Sequence, residues 1–178
     1  MIRELRFKVR AAARANVRSW SRRTAPGPSP SATKQALAAS TNKVIAIGAS
    51  AGGTDALRVV LSQFPATGPG VVVVQHMPPE FSRLFTEHLN KLCAMDVKEA
   101  ETGDRVRSGL ILIAPGAKQM TVKRSGGECL VSFTAGPKVS GHAPSVDVLF
   151  NSVADHIGAN AVGVILTGMG SDGPESPR

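Results

Sequence analysis

The pentapeptide Gly48-Ala49-Ser50-Ala51-Gly52 fits the pattern G-x-S-x-G. In that pattern flanking glycines permit a sharp turn that exposes a serine hydroxyl at a helix N-terminus, where free backbone N–H groups can hold an oxyanion. Ser50 is therefore the candidate nucleophile, and it needs a base. Of the four histidines, His76 ends the apolar run GVVVVQH, whereas His88 and His156 lie inside amphipathic helical patterns. His142 sits in the loop GPKVSGHAPSVD and reads as a substrate-side residue, less constrained as a base. The imidazole in turn needs a carboxylate to orient it. Asp172 follows the run AVGVILTG in the loop GMGSDG, while Asp147 and Asp155 fall in a helix and Asp55 in the first turn of another. An acid in a first helical turn is accounted for by the helix dipole. Ser50, His76 and Asp172 together suit acyl transfer on an ester or amide.

For these three residues to meet, they must sit on neighbouring strand ends. VIAIG reads as a buried strand that opens the domain near Lys43, and TDALRVVLSQF as a helix with Thr54 as its N-cap. GVVVVQH is a second, fully apolar strand. PPEFSRLFTEHLNKL is a helix opened by proline, with Phe81, Leu84, Phe85, His88, Leu89 and Leu92 on one side. Continuous apolar strands alternating with helices imply a doubly wound α/β fold with a mostly parallel sheet. Between residues 95 and 134 the short runs MDVKEA, LILIAP, QMTVKR and ECLVSF are separated by turn signals, which predicts an antiparallel β-hairpin insertion. SVDVLFNSVADHI and AVGVILTG then restore helix and strand. In a parallel sheet the C-terminal strand ends share one rim, so Ser50, His76 and Asp172 are all expected there.

Composition narrows the function classes. The formal net charge is +8, but residues 1–42 hold nine Lys/Arg against Glu4 alone, and residues 43–178 hold twelve of each sign. The basic excess is thus confined to a Pro/Ser/Ala-rich linker or tail and does not mark a nucleic-acid surface. Its first twenty residues are Arg-rich with apolar positions at helical spacing, a pattern shared by interdomain linker helices and mitochondrial transit peptides; we read a linker helix. Two cysteines, Cys93 and Cys129, show neither a disulfide framework nor metal-ligand spacing. No apolar run spans a bilayer and no secretory signal opens the chain, so a cytoplasmic protein without membrane insertion is expected. The competing reading of the Gly-rich turn, nucleotide binding, fits poorly because G-x-G-x-x-G requires glycine where Ser50 stands. The order Ser, His, Asp also differs from the Ser, Asp, His of α/β-hydrolases.

Four blocks, IGASAGG, QHMPPEFS, SGHAPSVDVLFNSVA and ILTGMGSDG, resemble in order and spacing the signatures of CheB-type chemotaxis methylesterases over about residues 43–173. The resemblance implies hydrolysis of glutamyl γ-methyl esters on cytoplasmic chemoreceptor helices, and often glutamine deamidation, by Ser50, His76 and Asp172 without metal or cofactor. It implies oxyanion donation by backbone N–H groups of Ala51 and Met169, and a receiver domain supplied in trans is a candidate partner. Arg58 and Arg83 are further candidate contacts to acidic receptor helices. Two departures are notable. Ala51 stands where members often carry threonine, and the chain stops soon after Asp172, where members continue through a helix, a strand with a Gln-Asp pair and a closing Gly-Met-Pro segment. Residues 43–178 are therefore expected to be a catalytic domain lacking its final elements, and the alternative is an inactive remnant or receptor-binding module.

Overall fold

The structure is a computed structural model that describes residues 43–134, 136–168 and 172. The linker expected over residues 1–42 and the oxyanion donor expected at Met169 lie outside the described residues. In chain order the elements are β1 (Val44–Ala49), α1 (Gly53–Leu61), β2 (Gly70–Gln75), α2 (Pro79–Leu92), β3 (Asp96–Glu99), β4 (Leu110–Ile113), β5 (Gln119–Ser125), β6 (Glu128–Thr134), α3 (Val146–Ile157) and β7 (Ala161–Ile165). A five-stranded sheet runs in the order β3-β4-β2-β1-β7 with every pairing parallel, and β5 and β6 form a separate antiparallel pair.

Side chains alternate across a strand, and in β2 both faces are apolar, as a sheet covered on both sides requires. Val71 and Val73 pack with Leu57 and Leu61 of α1 and Leu89 of α2. Val72 and Val74 face the other way, onto Val146, Leu149 and Val153 of α3 and onto Met120, Val122 and Val131 of the hairpin. The expected doubly wound α/β fold with a hairpin insertion is the observed one. Its topology has a direct consequence for function. From β1 the chain moves to β2 on one side, and later returns as β7 on the other side of β1. The crevice at such a switch point, outside the carboxyl ends of the strands, is where open α/β sheets place ligands.

Three local expectations need correction. The antiparallel excursion is confined to β5 and β6, because β3 and β4 are parallel members of the main sheet. The segment between them returns along the hairpin, with Gly103 N–H donating to Val131 O at 2.9 Å and Val106 N–H to Cys129 O at 2.8 Å. That return path lets two closely spaced strands run the same way. Thr54 is not the cap of α1: the helix starts at Gly53, and Gly52 caps it in the left-handed region with φ 73° and no side-chain bond, a conformation that suits glycine. Finally, of the predicted apolar side of α2 only Leu89 is buried, with Phe85 packed partly against the same core; Ser82 and Thr86 are buried beside it, while Phe81 is 61% and Leu84 55% exposed. Ser82 is drawn inward because its hydroxyl bonds Glu99 and accepts from Gly116 N–H, partners invisible in the helical periodicity.

Strand β1 and helix α3 meet with no room to spare. A Cβ placed on Gly48 would lie 2.4 Å from Val146 Cγ1, at the N-terminus of α3. Gly48→Ala should therefore push that helix end off the sheet and cost about 1–3 kcal/mol, measured as a loss in unfolding free energy by urea titration; a variant as stable as the parent would show the contact to be compliant.

Candidate active site

Register builds the site. Ala49 pairs with Gln75, so the residues that follow them, Ser50 and His76, leave adjacent strands side by side. His76 N–H donates to Ala49 O at 3.1 Å, and Ser50 N–H donates to Thr167 O at 2.9 Å, beyond the end of β7. The nucleophile candidate is thus pinned between the two strands that supply its partners. From β2, the buried Gln75 adds a further clamp: its amide Nε2 donates to Ser50 O at 2.9 Å and to His76 O at 3.2 Å.

The side chains complete a relay. Ser50 Oγ lies 3.1 Å from His76 Nδ1, and His76 Nε2 lies 2.7 Å from Asp172 Oδ2. The carboxylate accepts at Nε2, so the neutral ring carries its proton there and turns the Nδ1 lone pair toward serine. The ring nitrogens are used in the reverse order from the familiar template, in which Nε2 meets serine. The imidazole and carboxylate side chains are only 11% and 1% exposed.

A carboxylate that secluded needs donors. Asp172 Oδ1 accepts from Ser145 Oγ at 2.6 Å and Asp147 N–H at 3.1 Å, and Oδ2 accepts from Val146 N–H at 2.7 Å. These groups are the N-terminus of α3, a natural anion site. Burial alone would raise the Asp172 carboxyl, but the bonds from Ser145, Val146, Asp147 and His76 outweigh it and hold the group below its ordinary value of 3.8. His76 is shifted down from 6.5, chiefly by burial and in part by the charge of His142, against the pull of Asp172.

All three residues chosen from the sequence as nucleophile, base and orienting acid come together, lining a cavity of about 110 Å³ with Thr167 and Gly168. Ala51 follows the nucleophile at the head of α1, and among the described residues its amide has no acceptor. His88 and His156 are exposed and apart from the site. Arg58 and Arg83 lie on helix surfaces, paired with Asp55 at 3.6 Å and Glu87 at 3.0 Å. His142, by contrast, belongs to the site: its ring stacks on His76. Gln75, Gln119 and Ser145 were missed by sequence reasoning, because each acts through a backbone group or carboxylate brought close only by the fold.

The family model described as CheB methylesterase matches residues 45–177. A protein-glutamate methylesterase/protein-glutamine glutaminase of Syntrophotalea carbinolica is 58% identical over 180 aligned positions, covering 100% of this chain and 51% of the relative. The protein of the same name from Salmonella typhimurium is 54% identical over 166 positions, 93% of this chain and 46% of that one. The chain thus spans about half the length of the curated relatives it matches. The crystal structure of the Thermotoga maritima CheB methylesterase catalytic domain superposes with a TM-score of 0.73 at 35% identity, covering 75% of this chain and 71% of that one.

Because the Asp172 carboxyl titrates below 3.8 when folded, its bonds stabilise the fold above that value, and the contribution is lost as pH falls through the folded value. Asp172→Asn should lower the unfolding free energy by about 2 kcal/mol near neutral pH. The gap should close in strong acid, read from urea titrations across pH. A gap independent of pH would show that the charge is not what the helix end holds.

Proposed function

This chain belongs to the CheB methylesterase family, and from that membership we propose that it is a serine hydrolase that removes methyl groups from glutamyl γ-methyl esters of chemoreceptors. The observation that carries the reading is the uninterrupted relay from Ser50 Oγ through His76 to Asp172 at 3.1 and 2.7 Å, on the rim where this fold places ligands. Ser50 Oγ attacks the ester carbonyl while His76 Nδ1 takes its proton, and Asp172 accepts from Nε2 and steadies the resulting imidazolium. In the scheme the family resemblance implies, the tetrahedral oxyanion accepts from backbone N–H groups, with Ala51 and Met169 the candidate donors. Collapse of the intermediate returns the proton from Nδ1 to the departing methoxide, releasing methanol and leaving glutamyl-Ser50. Water, activated by the same imidazole, then frees the glutamate and the serine.

The same steps with ammonia as leaving group deamidate a receptor glutamine, an activity included in the names of both relatives. No cofactor or metal enters the scheme. The substrate is the acidic cytoplasmic helix of a methyl-accepting receptor, the enzyme works in the cytoplasm, and a receiver domain governs access to the site. Among the described residues no helix is long and apolar enough to cross a membrane.

The test is methanol release from methylated chemoreceptor by the whole chain, beside labelling with a fluorophosphonate probe. Ser50→Ala should lose at least about a thousandfold in rate and all labelling. Since His76 acts as a base only when unprotonated, and its ionisation lies below 6.5, the acid limb of kcat/KM should fall below that pH, activity declining as pH drops through it. A folded parent that neither releases methanol nor takes up the probe would defeat the proposal.

A further inference from the structure

The His76 ring turns only about its two side-chain torsions and is held at its edge by hydrogen bonds with Ser50 and Asp172. Such bonds weaken gradually as the ring rocks out of line, so a surface packed against its face restrains it further. The ring of His142 lies flat against that of His76, with centroids 3.7 Å apart and planes within 5°. Among the described residues the His142 ring makes no hydrogen bond of its own.

The placement of His142 comes from its backbone. His142 O accepts from Val139 N–H at 3.0 Å and its N–H donates to Val139 O at 2.9 Å, closing a tight loop. The buried Gln119, at the start of β5, donates from Nε2 to His142 O at 3.0 Å and to Pro137 O at 3.3 Å. Its Oε1 accepts from Ser145 N–H at 2.8 Å, and Ser145 is the residue whose hydroxyl grips Asp172. One side-chain amide thus ties the loop bearing the stacked ring to the helix end bearing the carboxylate. His142 also lines, with His76, Met77 and Lys138, a groove of about 490 Å³, so the stacked pair borders that open groove.

We propose that His142 is a positioning residue: its ring is the platform that fixes the plane of His76 and covers one face of the base. This rests on the reading of Ser50, His76 and Asp172 as the reacting relay. Two physical effects follow from the stack. It removes water from one face of His76, and it brings a second titratable ring close enough that both cannot comfortably be charged. The groups facing His76 are Ser50 from the elbow after β1, Asp172 from the loop after β7 and His142 from the loop before α3, with Lys138 on the same groove. Among them His142 opposes the charged form of His76 and Asp172 favours it.

The test compares His142→Phe, which keeps a flat ring without a charge, with His142→Ala, which removes the ring; His142→Leu, filling the space without a flat face, replaces alanine if that variant fails to fold. In the whole chain, Ala or Leu should lower kcat for methyl-ester hydrolysis by about tenfold to a hundredfold, with KM changed less than about twofold. Phe should stay within about threefold of the parent. The NMR titration of the His76 ring should move up in His142→Phe, where the opposing charge is gone, and further up in Ala, where burial is relieved as well. A parental kcat in the ringless variant, or Phe as slow as Ala, overturns the platform. If the parent proves inactive and Ser50 unlabelled, the hydrolase reading fails by itself. The His76 titration then decides the proposal alone, an unchanged midpoint in both variants overturning it.

Discussion

The carboxylate of Asp172, buried at the head of α3, is the interaction on which the rest of the site depends. A lone carboxylate withdrawn from water carries a penalty of several kcal/mol unless donors replace its hydration. Here two backbone N–H groups, a serine hydroxyl and an imidazole do so. Three of these donors come from the N-terminus of α3, which packs one face of the sheet, and the fourth from His76 at the end of β2, while Asp172 itself follows the strand on the far side of β1. The acid is therefore both the relay's last member and the anion held at the head of α3, tying that helix end to His76, far earlier in the chain.

That double duty explains the surroundings. The first-turn amides of α3 are aimed by Ser145, whose hydroxyl donates to Asp172 and accepts from Val148 N–H at 3.3 Å. Ser145 is fixed through Gln119 to the hairpin, whose apolar side packs on α3. Strand β1 accepts α3 closely only because Gly48 has no side chain. The hairpin, which takes no part in the main sheet, thus contributes to the geometry of the site through one amide and a few apolar contacts.

How much of this was legible in the sequence follows from the range of each signal. The serine elbow and the two strand-end partners could be read because strand, turn and helix patterns are local, and a parallel sheet gathers its strand ends on one rim. The face of α2 was misread because Ser82 is buried for its polar partners, while Phe81 and Leu84 stay out; an apolar pattern cannot report a hydrogen bond to another element. The parallel run of β3 and β4 was likewise hidden, since their short connection gains its path from β6. Gln75 and Gln119 look like ordinary polar residues at a strand's end and a strand's start. Ser50, the distant partner of Gln75, lies 25 residues away and the partners of Gln119 lie 18 to 26 away, beyond any spacing rule.

The reversed use of the imidazole nitrogens also follows from topology. Neighbouring strands are roughly 4.8 Å apart, and Ser50 leaves the strand directly beside that of His76. The nitrogen nearer the backbone, Nδ1, suffices for that reach. Asp172 arrives from beyond β7, on the other side of β1, so it must be met by the outer nitrogen, Nε2. In a fold that took its acid from the strand next to the histidine and its serine from farther away, the nitrogens would exchange roles. The tautomer is thus set by strand order: whichever nitrogen faces the buried carboxylate carries the proton, and the other is left as an acceptor facing the serine hydroxyl.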